Sequence, residues 1–234
     1  MQLNHTFEMK LPLKLIKYIN LLIAGLYIFS SSFIHAGEQS IIPAGEFSQN
    51  KLDGWLPKKF VNETSYSLIK VDKNRVLKAV SQNSASGLIK KIRVDIKTHP
   101  FLNWSWKIEN RLAGTFNEKQ KSGDDYAARI YIVASGGITF WNTIALNYVW
   151  SKNSAKGETW PSAFAPENSV MIALRSSEAP ISTWHWEKQN LRDDFKKLFD
   201  KEIQFIDAVV LMSDTDNTQK EVTVYYGDIY FSKQ

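Results

Sequence analysis

Two short segments interleave chemically capable side chains with tryptophan: W-S-W-K-I-E-N at Trp104 to Asn110 and W-H-W-E-K-Q-N at Trp184 to Asn190. In a strand, successive side chains point to opposite faces. Trp104, Trp106 and Ile108 then share one face, and Ser105, Lys107 and Glu109 the other. The second segment sets Trp184 and Trp186 against His185, Glu187 and Gln189. The same parity puts Arg129 and Tyr131 opposite Ala128, Ile130 and Ile132. It puts Asn147 opposite Ile144, Leu146, Tyr148 and Trp150, and Arg175 opposite Val170, Ile172 and Leu174. If these strands share a sheet, one face presents Lys107, Glu109, Arg129, Tyr131, Asn147, Arg175, His185, Glu187 and Gln189.

Such a face suits a polyhydroxylated or anionic small ligand, because guanidinium grips carboxylates with two parallel bonds and amides pair with hydroxyls. Catalysis is the second reading. Glu109 with Glu187 would form a glycosidase pair if their carboxyls stood about 5 to 9 Å apart. Arg129 or Arg175 with Tyr131 or His185 would support a lyase, the cation neutralising a uronate while a base takes a proton. The alternatives without chemistry are a solvated outer sheet face and a buried Arg–Glu network that pins the strands.

All eight tryptophans follow residue 54. Parity assigns Trp104, Trp106, Trp184 and Trp186 to the core. Trp141 and Trp160, in Gly- or Pro-flanked segments, are the candidates for stacking on a flat ligand. Asp214-Thr215-Asp216-Asn217-Thr218 is oxygen-rich, and Asp214 and Asp216 are the only residues here with the tone of a calcium loop. The EF-hand pattern fails, with Gln219 at the glycine position and Tyr225 at the terminal glutamate position. The loop therefore reads as a turn in which Asp and Asn bond their own backbone, as do Gly123-Asp124-Asp125 and Asp53-Gly54. No metal and no cofactor is expected. There is no G-x-S-x-G, no H-E-x-x-H and no phosphate-binding glycine loop.

The elements that must hold these groups are short strands. Runs rich in Val, Ile, Tyr, Phe and Trp span 66–71, 75–81, 87–94, 101–109, 126–134, 143–150, 170–176, 183–190, 206–212 and 222–231. Asn, Gly, Ser and Pro clusters separate them. One helix is expected over 193–201, capped by Asp193 or Asp194, with Phe195, Leu198 and Phe199 at helical spacing. The polar loop 115–124 reads as exposed. The pattern predicts an all-β, antiparallel, jelly-roll-like sandwich with one short helix.

The first 36 residues read as an export signal: Lys10, Lys14 and Lys17 precede an apolar run, Tyr18 to Ile34, which ends at Ile34-His35-Ala36. The run is short of the roughly 20 apolar residues a membrane span needs, so cleavage after Ala36 is expected, leaving a single domain over 37–234 and no transmembrane span. That predicts a periplasmic or secreted bacterial protein. Formal net charge is +5. The leader carries three of the lysines and one glutamate, so the remainder is only mildly basic and argues for no nucleic-acid partner. With no cysteine, packing alone must hold the fold.

The motifs W-S-W-K-I-E-N, G-D-D-Y-A-A-R-I-Y, N-Y-V-W-S, Arg175-Ser176, W-E-K-Q-N-L-R-D-D, M-S-D-T-D-N-T and Y-Y-G-D-I occur in this order from about Phe47 to Phe231. In them the chain resembles the bacterial family called domain of unknown function 3047. The resemblance implies a secreted or periplasmic protein and assigns no activity. Gln189 stands where that family carries Arg. The opening, with Phe47, Gly54-Trp55, Val76-Leu77-Lys78-Ala79 and Ser84-Ala85-Ser86-Gly87, is similar in style to galactose-binding-like jelly rolls of carbohydrate-binding modules. Three functions follow in order: binding of a glycan or small anionic ligand, a polysaccharide hydrolase or lyase, and an envelope scaffold docking a protein partner.

Overall fold

The computed structural model describes residues 40–135 and 143–234; the expected signal and Trp141 lie outside them. Two seven-stranded sheets pack face to face. The first runs β1 (Ile41–Gly45), β14 (Ile229–Ser232), β6 (Phe101–Ile108), β13 (Glu221–Tyr226), β4 (Asn74–Gln82) and β3 (Ser65–Val71), with β11 (His185–Asn190) on β6 as well. The second runs β2 (Trp55–Val61), β5 (Ala85–Asp95), β12 (Phe205–Asp214), β7 (Arg129–Ala134), β8 (Ile144–Trp150), β10 (Ser169–Arg175) and β9 (Thr159–Pro161). All pairs are antiparallel save β8 with β10. The all-β sandwich with one short helix is the architecture the sequence predicts.

Burial of apolar surface between the sheets drives the packing. Trp104, Trp106, Ile108, Val224 and Phe231 of the first sheet meet Ile130, Ile132, Leu146, Tyr148 and Leu211 of the second. A smaller cluster, Tyr126, Val149, Trp160, Met171 and Ala173, covers part of the second sheet's outer face. Trp160, expected at the surface, is buried in that cover, its ring stacked on Tyr126 at 6.5 Å between centroids.

The run 222–231 is broken in two. β13 and β14 follow one edge of β6, but Gly227, Asp228 and Ile229 stand against only Trp104 and Ser105. This is a bulge. Gly227 donates its N–H to the Ser105 carbonyl at 2.9 Å, and a Cβ there would lie 2.2 Å from Ser105 Oγ. β2 escapes the sequence pattern because it is an edge strand, exposed at every position after Trp55 and therefore without alternation.

The helix α1 spans Leu191–Phe199, two residues ahead of expectation. Asn190, not an aspartate, caps it: its side-chain oxygen accepts the N–H groups of Arg192 and Asp193 at 3.2 and 3.4 Å. Leu191 and Phe195 are buried against the core, and Tyr148 donates its hydroxyl to Asp194 at 2.6 Å.

Candidate ligand-binding cavity

The polar residues singled out by parity divide among three places. Lys107 and Glu109 lie on the outer face of the first sheet, paired at 2.8 Å. Lys107 sits 4.5 Å above the Tyr225 ring, and Ser182 donates to Glu109 at 2.7 Å. That lysine and hydroxyl hold the Glu109 carboxyl below the usual range.

Arg175, Glu187, His185 and Gln189 lie elsewhere, on the core side at one end of the sandwich. β11 pairs with β6 so that Glu187 stands opposite Trp104 and His185 opposite Trp106. Cross-strand partners share a face, so these polar groups turn inward with the tryptophans of β6. Glu187 accepts from Trp106 Nε1 at 2.9 Å and from Arg175 Nε at 2.5 Å. A register shift in β10 between Ala173 and Arg175 lets Arg175 reach back to it. His185 packs edge-on to Trp150 at 5.1 Å, with Nε2 3.0 Å from the Pro180 carbonyl oxygen. The inversion expels Trp186, which is 73% exposed, and leaves Trp184 half-buried. Parity alone assigns both to the core. Glu109 and Glu187 thus occupy opposite faces of one sheet and cannot flank a glycosidic bond.

Only Arg129, Tyr131 and Asn147 come together as expected, on the outer face of the second sheet. Tyr131 pairs in register with Asn147, and Arg129 with Met212. Arg129 and Tyr131 line a cavity of about 430 Å³ whose walls include Asp124, Asp214, Asp216, Asn217, Ser162 and Ser169, with Phe60 and Phe164 at the mouth; Asn147 lies outside the lining, behind Ser169. Arg129, 3% exposed, donates Nη1 to Asp214 at 2.6 Å and faces Asp124 at 3.5 Å. Its guanidinium carbon lies 4.6 and 4.9 Å from the Tyr126 and Tyr131 ring centres. Asn147 donates to Ser169 Oγ at 2.5 Å.

Asp214 and Asp125 are held not by the backbone of their own turns, as the sequence suggests, but by N–H groups distant along the chain. Asp214 ends β12 and accepts the Tyr126 N–H at 3.2 Å. Asp125, fully buried, accepts the Thr218 and Asn217 N–H groups at 2.6 and 3.3 Å. Burial pushes Asp214 up to about 8; Arg129 opposes the rise, and the Asp124 and Asp125 charges add to it. Burial likewise raises Asp124 against the pull of Arg129, and burial and Asp125 raise Asp216. Burial also drives the Tyr131 hydroxyl far above its ordinary range, which removes it as a base.

Loop 115–124, expected to be exposed, anchors this wall. Glu118 is 1% exposed and accepts from Ser151 Oγ and from the N–H groups of Lys152 at 2.9 Å and Ser154 at 3.0 Å. That buried carboxylate ties the loop to residues 151–154. Sequence reasoning passed over Phe60, Ser162, Phe164 and Ser169, and read Asp124 and Asp125 only as a turn. The nearest signal was Gly123-Asp124-Asp125 immediately before the β7 motif.

The polar layer behind the cavity lining is incompletely satisfied. Asp124 Oδ1, Arg129 Nε and Asn147 Oδ1 are buried and have no hydrogen-bond partner among the described residues, a costly condition that native structures seldom leave standing. The cavity lies within the roughly 300–1,000 Å³ of small-molecule sites.

No helix of the described residues is long and apolar enough to cross a membrane, and no curated protein matches the chain. Solved structures with a similar course include a family 30 carbohydrate-binding module of a cellulosomal cellulase of Clostridium thermocellum. It is 10% identical, with 77% of this chain and 92% of that one covered, at TM-score 0.42. A xyloglucanase domain of a type three effector from Sinorhizobium fredii is 9% identical over 79% and 96%, at 0.45. A carbohydrate-binding module of the β-sandwich superfamily is 11% identical over 80% of this chain, at 0.42, and this chain spans 60% of that one. The family model for Protein of unknown function (DUF3047) matches residues 53–230, and the chain belongs to that family.

Proposed function

We propose that this is an exported binding protein whose cavity on the outer face of the second sheet takes a small, neutral, polyhydroxylated ligand of sugar size. One observation carries the reading: a cavity of about 430 Å³ combines a hydrogen-bonding floor with two exposed aromatic rings, Phe60 and Phe164. Carbohydrate hydroxyls both donate and accept, and the Ser162 and Ser169 hydroxyls, the Asn217 amide and the carboxylates of the lining offer both roles. Aromatic faces suit the C–H face of a pyranose. An anionic ligand is disfavoured. The single guanidinium is already engaged by Asp214 and Asp124, and three aspartates line the cavity with it. Binding also fits better than turnover, because Tyr131 stays protonated and His185 and Glu187 belong to the other sheet.

The test is calorimetric titration of the purified protein with glucose, galactose, N-acetylglucosamine, cellobiose and glucuronate. Saturable binding of a neutral sugar, weaker binding of glucuronate and a loss of about tenfold in Phe164→Ala, in line with one aromatic contact, are expected. Phe164 is 60% exposed, so that variant should keep its Tm. No binding across the panel overturns the reading. Export is tested separately: the secreted form should begin at Gly37.

A further inference from the structure

The aspartate cluster beside the cavity has more negative charge than the protein answers. Asp125, Asp214 and Asp124 are 0%, 2% and 5% exposed, and Asp216 is half-buried. Among the described residues, Arg129 is the one cation paired with them. The N–H groups of Tyr126, Asn217 and Thr218 orient these carboxylates but carry no net charge. Buried charges are ordinarily paired or coordinate a metal.

The geometry fits the second case. Asp125, Asp214 and Asp216 each bring one carboxylate oxygen to within 4.8 Å of the others. Oxygens that share a calcium ion at about 2.3–2.6 Å stand no farther apart than about 5 Å. A separate observation points to the same place. Asp124, buried and facing the same guanidinium as Asp214, keeps Oδ1 without a partner, and Thr218, whose N–H holds Asp125, keeps a buried Oγ1 without one. The donors are all oxygen, with no His or Cys among them, which selects a hard cation over zinc or copper.

We infer that Asp125, Asp214 and Asp216 form a binding site for a divalent, oxygen-preferring cation of the calcium class. The ion would clamp the segment entering β7 to the turn leaving β12, behind one wall of the cavity. Asp214 and Asp216 also line the cavity, but the inference rests on the carboxylate geometry and not on the sugar reading.

Terbium is the probe, as a luminescent calcium surrogate, because Tyr126 and the Trp160 ring stacked on it lie next to Asp214. In chelator-treated full-length protein, excitation of these rings should give a saturable terbium signal at one ion per chain, reversed by calcium. Calcium should also raise Tm. Asp125→Asn should abolish the signal. Asp216→Asn is the safer variant, since its side chain is only half-buried. It should keep the Tm of the chelated protein, weaken terbium binding at least about tenfold for the loss of one charged ligand and lose the calcium response. The inference is overturned if terbium does not saturate and Tm ignores calcium up to about 10 mM, beyond the weakest extracellular calcium modules. It is equally overturned if Asp216→Asn binds as the unaltered chain does. A sugar panel without binding leaves these outcomes untouched.

Discussion

Replacing Glu187 tests the inversion of β11 most directly. The carboxylate is 4% exposed and Arg175 20%; Trp106, which donates to Glu187, is fully buried. In Glu187→Ala the Trp106 N–H loses its acceptor in a dry site, a cost of about 1–3 kcal/mol. Arg175 also loses its counter-charge. A fully buried pair broken on one side costs about 3–5 kcal/mol, but Arg175 can turn toward water, so its share is smaller. The total comes to about 3 kcal/mol. For a chain of this size that lowers Tm by about 6–12 °C. Glu187→Gln keeps an acceptor for Trp106 and should cost about 1–2 kcal/mol. Arg175→Ala leaves the more deeply buried partner charged and should cost about 3–5 kcal/mol. The double variant should cost less than the two single losses together, because they share one interaction. Urea unfolding followed by tryptophan fluorescence measures all four. A loss below about 1 kcal/mol in Glu187→Ala, or simple additivity of the pair, would refute the placement of Glu187 and return it to solvent.

Three further outcomes are expected. Burial pushes the Asp214 carboxyl up to about 8 in the folded state, against an ordinary value of about 4 in the unfolded chain. Its contribution is therefore complete below about pH 4 and is lost as pH rises through about 8, with a slope of up to about 1.4 kcal/mol per pH unit between them. In chelator, the unaltered protein should lose stability relative to Asp214→Asn from pH 5 to pH 7, each value being about one unit inside that window; parallel profiles count against the buried acid. Gly123→Ala would place a Cβ 2.6 Å from the Asn117 carbonyl oxygen and 3.0 Å from its carbon, backbone that cannot swing aside, at a cost of about 1–3 kcal/mol. An unchanged unfolding midpoint would mean that loop 117–123 is not packed as described. Asn190→Ala removes the α1 cap and should cost about 1 kcal/mol, with Asn190→Asp nearly neutral; equal losses in both would show that the cap bond carries no weight.

Much of the molecule is legible from local pattern. Strand runs of β-branched and aromatic residues gave ten segments, which the structure places in eleven strands because Gly227 interrupts one of them. Alternation assigned Trp104, Trp106 and Ile108 to the core and Arg129, Tyr131 and Asn147 to the opposite side of their strands, as the structure has them. It misassigned β11. Two tryptophans and three polar residues alternate there, and hydrophobicity alone puts the indoles inside. Yet Glu187 has both Arg175 and the Trp106 N–H waiting across the gap, and a fully paired carboxylate can be buried where an unpaired one cannot. Trp160 was misread for the converse reason: its Pro neighbour signals a turn, and nothing nearby reveals Tyr126 beneath it.

The sequence by itself determined the sandwich, the parity of β6, β7 and β8, and the family, since these rest on periodicity and motif order within short stretches. Only the tertiary structure decided which polar groups meet. The Asp125 carboxylate is bound by a backbone N–H 93 residues farther along the chain, and two separately unremarkable turns become one cluster of charge. Alternation specifies which face of its own strand a side chain occupies. Which strands become neighbours, and so which charges must be answered, depends on pairing and register across the whole fold.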